Sequence, residues 1–347
     1  MGLLRVKGTI DINQFWPTGS GRILSDADTV HVKVNPATSF VFEGNVTRAF
    51  DFAWVKTAKN KDGSRSPVYV IHRQTTADPD IVIRLQGIDA PELHYRVDQK
   101  KPDVRQNWGK RATLELRNYL KGLAKGSTIE CHVETLVQSP NDVFDMYGRF
   151  VGDIMVSDGS KFVNVNHWLV ENAWAFPTFY NSMQLGEIDS IYQLWAKTKG
   201  GMRKSIVNRA TDNMYGLPAG KAGDNPAQAN SDKGEVVLPK MFRRLVAYKE
   251  NPQGAKTLAE YLALPKKKKD LVVDLAAFKK LTASQRAHPA KKNSGVPVVK
   301  LSTLVSDKNR LDPRPETLVF VEDAADLKNN TGNVTNWNAH GVPVQKL

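Results

Sequence analysis

IVIRLQGIDAPELHY, residues Ile81–Tyr95, begins as an apolar strand and ends as a rigid polar turn. Ile81, Val82 and Ile83 open the strand, and Arg84 and Leu85 continue it. The chain breaks at Gly87 and presents Asp89 and Glu92 around Ala90-Pro91. Proline cannot donate to a sheet ladder, so the strand ends where the carboxylates begin. A cation and two carboxylates at a strand end are how a scaffold presents reactive groups, not how it fills a core.

Two further stretches share this character. Upstream, Ser25-Asp26-Ala27-Asp28-Thr29-Val30 places two aspartates at the head of a strand. Downstream, Asp145-Met146-Tyr147-Gly148-Arg149 reads as a hairpin turn. Taken singly, Asp28 and Asp89 read as strand-end caps, Arg84 as half of an ion pair and Gly148-Arg149 as hairpin chemistry. Together, and in this order, they resemble the staphylococcal nuclease (thermonuclease) family, which carries a D-x-D-T strand end, an R-x-x-x-x-D-x-P-E segment and a D-x-Y-G-R turn.

The resemblance covers roughly residues 3–205 and implies a Ca²⁺-dependent, sugar-nonspecific nuclease acting on DNA or RNA. It implies Asp28 and Asp89 as metal ligands, with the carbonyl of Ala90 where threonine is common, and Asp26 behind them. Such hard oxygen donors suit Ca²⁺. Glu92 then activates or orients the attacking water. Arg84 and Arg149 supply planar forks for phosphate oxygens. Tyr147 and Tyr180 become substrate contacts. Met146 stands where the family often has lysine, which removes one phosphate contact.

Composition agrees with a polyanionic partner. The 347-residue chain carries 49 Lys and Arg against 36 Asp and Glu, a net charge of +13. Phosphates and their released counterions reward such an excess, although solubility alone would also be served by it. A single cysteine, Cys131, excludes an intrachain disulfide and reads as a small buried residue in a strand. No apolar run is long enough to span a membrane. The N-terminus lacks a standard signal peptide, which gives a cytoplasmic protein or one exported by another route.

Alternation over Leu3–Ile12 reads as the first strand, and Phe15-Trp16-Pro17 as a plug for an open barrel end. Residues 35–80 exceed the compact family pattern. Strand-like Phe40–Phe42, Ala49–Val55 and Val68–His72, with a basic tip at Lys56–Ser66, read as an elaborated hairpin. Its cations form a solvated edge or, alternatively, widen a nucleic-acid groove. Helices are expected at Asn107–Leu123, Asn164–Ala175 and Leu185–Lys199, and strands at Thr128–Val137 and Phe150–Val156. The class is therefore α+β, a five-stranded OB-type barrel with three helices.

Residues 216–236 have a linker composition. They divide a nuclease unit, 1–215, from a smaller mixed α/β module, 237–347, that carries no recognisable signature. Few buried contacts are expected across the linker, so a chain ending near Tyr215 is expected to fold alone. Two function classes follow. One is an active nuclease. The other is a catalytically weak nucleic-acid-binding module whose C-terminal part docks on a protein partner or delivers the nuclease. Retention of Asp28, Arg84, Asp89, Glu92 and Arg149 favours the enzyme.

Overall fold

The computed structural model describes residues 2–15, 25–34, 39–42, 46–49, 55–59, 65–69, 80–97, 104–137, 150–216, 233–264, 270–291, 293–312, 314–321, 336–337 and 343–344. Five strands form the barrel: β1 (Gly2–Asp11), β2 (Thr29–Val34), β3 (Asp80–Leu85), β4 (Thr128–Val137) and β5 (Phe150–Ser157). β1 runs antiparallel to both β2 and β4, β2 antiparallel to β3, and β5 antiparallel to β4. β5 lies parallel to β3, which closes the ring. This is the α+β, OB-type barrel that the alternation implied.

Inward residues alternate along the strands. Val6 and Ile10, Val30 and Val32, Ile83 and Leu85, Ile129 and Val133, and Ile154 and Val156 are all buried. Gly8 sits where a Cβ would overlap the Lys33 carbonyl, so only glycine lets β1 and β2 approach this closely. Phe15 is fully buried against the core, as a plug should be. Trp16 and Pro17 lie outside the described residues. Among the described residues the insertion contains two strand pairs. Ser39–Phe42 pairs with Val46–Ala49 and extends β1, and Val55–Lys59 pairs with Arg65–Tyr69.

Helix α1 (Gly109–Leu123) follows a left-handed Trp108, and α2 (Val165–Glu171) and α3 (Leu185–Lys197) follow the barrel. α2 is shorter than its apolar periodicity suggested. Ala173 turns left-handed at φ 50, and the Trp174 and Ala175 amides both donate to the Leu169 carbonyl. The chain is thereby redirected so that Phe176-Pro177 pairs antiparallel with Ile88-Asp89. The backbone of Asp89 is thus held from a distant segment.

The C-terminal part adds helix α4 (Pro239–Glu250) and a second sheet. Its strands are β6 (Phe179–Tyr180), β7 (Leu271–Asp274), β8 (Val299–Lys300) and β9 (Leu318–Val321), in the order β6-β9-β7-β8. β6 comes from the nuclease-like part and pairs parallel with β9. Buried side chains from Val6 to Phe320 form one cluster. The end of the expected linker is also engaged. Trp108 Nε1 donates to the Gly234 carbonyl at 2.8 Å, and Val236 is fully buried. Few buried contacts were expected there, and the structure corrects this: residues 234–237 close over the start of α1 through hydrogen bonds that their backbone carbonyls accept. No helix among the described residues is long and apolar enough to cross a membrane.

Candidate active site

Each acidic group is fixed by local backbone. Asp28 precedes β2, and its own carbonyl accepts from the Leu85 amide at 2.9 Å. Its carboxylate accepts from the Ala90 amide at 2.6 Å, which ties the head of β2 to the turn after β3. Gly87, at φ 74, makes that turn in the conformation glycine favours. Glu92 is held through its backbone by Gln106. The Glu92 amide donates to Gln106 Oε1 at 3.2 Å, and the Gln106 amide donates to the Glu92 carbonyl at 2.8 Å. Gly109 starts α1 so close to Glu92 that a Cβ would lie 2.6 Å from the Glu92 carbonyl oxygen.

The side chains form an alternating ladder of charge. Arg84 ion-pairs with Asp28 through Nη1 and with Asp89 through Nη2, the latter at 2.5 Å. Arg84 Nη2 also donates to the Ile88 carbonyl at 3.1 Å. On the other side of Asp89 lies Arg243 of α4, at 3.2 Å from Asp89 Oδ2 and in close ion pair with Glu92. The sequence Asp28–Arg84–Asp89–Arg243–Glu92 is therefore continuous. Both aspartate side chains are buried, and Glu92 is nearly so.

Burial disfavours the Asp89 carboxylate, but Arg243 and Arg84 outweigh it and hold the group below the usual range. Burial of Glu92 is opposed by Arg243 and reinforced by Asp89, Asp26 and Asp28. The result pushes its carboxyl up to about 7, where a general base near neutrality is effective. Burial also works against the Arg84 charge, and Asp28 and Asp89 overcome it and hold the guanidinium above its ordinary value. Lys240, one turn before Arg243, is lowered to about 8 by burial, against the pull of Asp270. Its Nζ lies 5.1 Å from the ring centre of Tyr180 and 3.8 Å from that of Phe320.

Of the residues expected from sequence, the structure brings together Asp28, Arg84, Asp89, Ala90 and Glu92. Asp26 is near enough to act on Glu92, and Tyr180 near enough to act on Arg84 and Arg243. Tyr180 packs on Phe320, with ring centres 6.0 Å apart. Arg149 and Tyr147 lie outside the described residues. Arg243 and Lys240 were not anticipated. Their one signal in the sequence was a pair of arginines, Arg243-Arg244, set inside the apolar block Phe242–Tyr248.

A family model described as staphylococcal nuclease homologue matches residues 82–205. The match identifies a staphylococcal-nuclease-like domain, whose barrel is completed by β1 and β2 from before the matched span. The matched span contains Arg84, Asp89 and Glu92; Asp28 reaches the same site from β2 before it, and Arg243 from α4 after it. No curated protein matches the chain. A domain of this kind supports nuclease-like action or nucleic-acid binding.

The Ca²⁺ that the resemblance implies would draw on Asp28, Asp89 and the Ala90 carbonyl. The donor chemistry suits it, but the arrangement does not. Asp28 is engaged by Arg84 and the Ala90 amide, and Asp89 by Arg84 and Arg243. Ca²⁺ takes about six to eight oxygen ligands. Here the oxygens face guanidinium groups instead, and no group of three or more His, Cys, Asp or Glu is disposed to hold a metal among the described residues.

Proposed function

We propose that this protein hydrolyses phosphodiester bonds in DNA or RNA, with Glu92 aiming the water and Arg84 holding the phosphate. The observation that carries the reading is Arg84 clamped between Asp28 and Asp89, with the nearly buried Glu92 carboxyl at the end of the same charge ladder. The two aspartates fix the plane of the guanidinium, and a fixed fork costs little reorganisation as charge develops on the phosphate oxygens. Glu92 takes the proton of the attacking water as its oxygen bonds to phosphorus. The phosphorus–oxygen bond to the leaving sugar breaks, and that oxygen is protonated from solvent. Arg149, which precedes β5 in the sequence, is a second clamp on the same reading. The excess of basic residues favours a polymer of phosphates over a small ester.

A second reading has an observation of its own. The ion pair between Arg243 and Glu92 engages the base, which fits a module that binds nucleic acid and cuts slowly or not at all. Turnover of single-stranded DNA and of RNA by the full chain, alongside binding to the same substrates, separates the two. Cleavage above background that scales with protein supports the hydrolase. Binding without cleavage supports the module.

A further inference from the structure

Helix α4 lies outside the matched segment, yet it delivers a cation to the centre of the site. The helix is built to hold that position. Pro239 starts it, and Met241, Phe242, Leu245 and Val246 are buried. Two consecutive arginines then take separate tasks. Arg244 pairs with Asp270, at 2.9 and 3.0 Å, and anchors the helix beside β7. Arg243 reaches back to Asp89 and Glu92 and keeps about a quarter of its side chain exposed.

A guanidinium between Asp89 and Glu92 stands where a divalent cation would have to approach those carboxylates. It supplies positive charge and hydrogen bonds, and it repels a second cation at contact range. Lys240 adds a further positive charge near Asp89. With Arg243 in place, two guanidiniums face the three carboxylates Asp28, Asp89 and Glu92. Without it, one guanidinium faces three carboxylates, and Asp89 and Glu92 lose the cation that competes with Ca²⁺ for their oxygens.

We propose that Arg243 is a built-in counter-cation, supplied in cis by the C-terminal helix, that excludes a divalent ion from the Asp28–Asp89–Glu92 cluster. The inference rests on the reading of this cluster as the active site, and deepens it by assigning its regulation to α4. Metal entry then requires Arg243 to withdraw. Because Arg244 anchors the helix independently, the Arg243 side chain swings out without α4 leaving the core.

The test is cation binding by the full chain without nucleic acid, followed by calorimetry with Ca²⁺ and by Tb³⁺ luminescence. The wild-type chain is expected to show no saturable micromolar binding at this cluster. Arg243→Gln is expected to bind at least about tenfold more tightly, an effect abolished by adding Asp28→Asn, and Arg243→Lys to stay near wild type because the charge remains. Circular dichroism confirms that each variant folds. Equal Ca²⁺ affinity in wild type and Arg243→Gln overturns the proposal. So does saturable micromolar Ca²⁺ binding by the wild-type chain that Asp28→Asn removes, a result that needs no folded Arg243 variant. Both readouts are independent of turnover, so an inactive protein would count against hydrolysis and leave this inference standing on its own result.

Discussion

Ending the chain at Tyr215 removes α4 and the segment before it, and the expected consequence is loss of cooperative folding. Val236, Val237, Leu238, Met241 and Phe242 are each at most 1% exposed. At roughly 1.5–3 kcal/mol per buried side chain, they contribute about 7–15 kcal/mol of gross apolar burial. Residual compactness of the unfolded chain lowers that by roughly 10–40%. Three side-chain hydrogen bonds also vanish: Gln106 to Val237 at 2.6 Å, Asn107 to Glu235 at 3.0 Å and Trp108 to Gly234 at 2.8 Å. Each contributes about 1 kcal/mol, and Asp89 and Glu92 lose Arg243 as well. Net domain stability is only about 5–15 kcal/mol, so the loss is of the same size as the whole. Circular dichroism melting of residues 1–215 should show either no cooperative transition or a Tm at least about 10 °C below that of the full chain, with dye binding that reports exposed apolar surface. A sharp transition within about 2 °C of the full chain, without dye binding, would refute the reasoning that α4 is part of one core.

Arg84→Ala leaves Asp28 and Asp89 buried beside each other without their shared partner. A loss of about 3–5 kcal/mol in urea unfolding is expected, with turnover of the folded fraction at least ~10² lower; unchanged stability would mean that the ladder is not held by this residue. Asp153, on β5, gives a pH signature. Burial, reinforced by Glu187 and opposed by His167, pushes its carboxyl up to about 7, above its unfolded value. The native state therefore keeps a proton that the unfolded state loses, and stability falls as pH rises from about 4 through 7. Asp153→Asn should gain about 1–2 kcal/mol relative to wild type between pH 5 and pH 8, allowing for solvent screening of a half-buried group. An offset equal at both pH values would show that Asp153 is ionised in the fold.

The barrel was legible because strand alternation and the turn at Gly87-Ile88-Asp89-Ala90-Pro91 are local signals. Asp28, Arg84, Asp89 and Glu92 were legible because each belongs to a short motif with fixed spacing. α2 was read too long because its apolar pattern continues through Trp174 and Ala175, whereas Ala173 reverses the backbone. Arg243 was not legible. It lies 151 residues from Glu92, in a segment without a motif, and its place in the site depends on the packing of α4. The engagement of residues 234–237 was not legible for a related reason: Gly234, Glu235 and Val237 contribute through backbone carbonyls, which composition does not register.

On the proposed reading, Glu92 is the group that aims and deprotonates the water. Single-turnover cleavage of a short single-stranded oligonucleotide by wild type and by Glu92→Gln tests it most directly, with melting curves to confirm that both are folded. A fall in the cleavage rate of at least ~10² at unchanged substrate affinity is the expected result. Wild-type rates in folded Glu92→Gln would contradict the account.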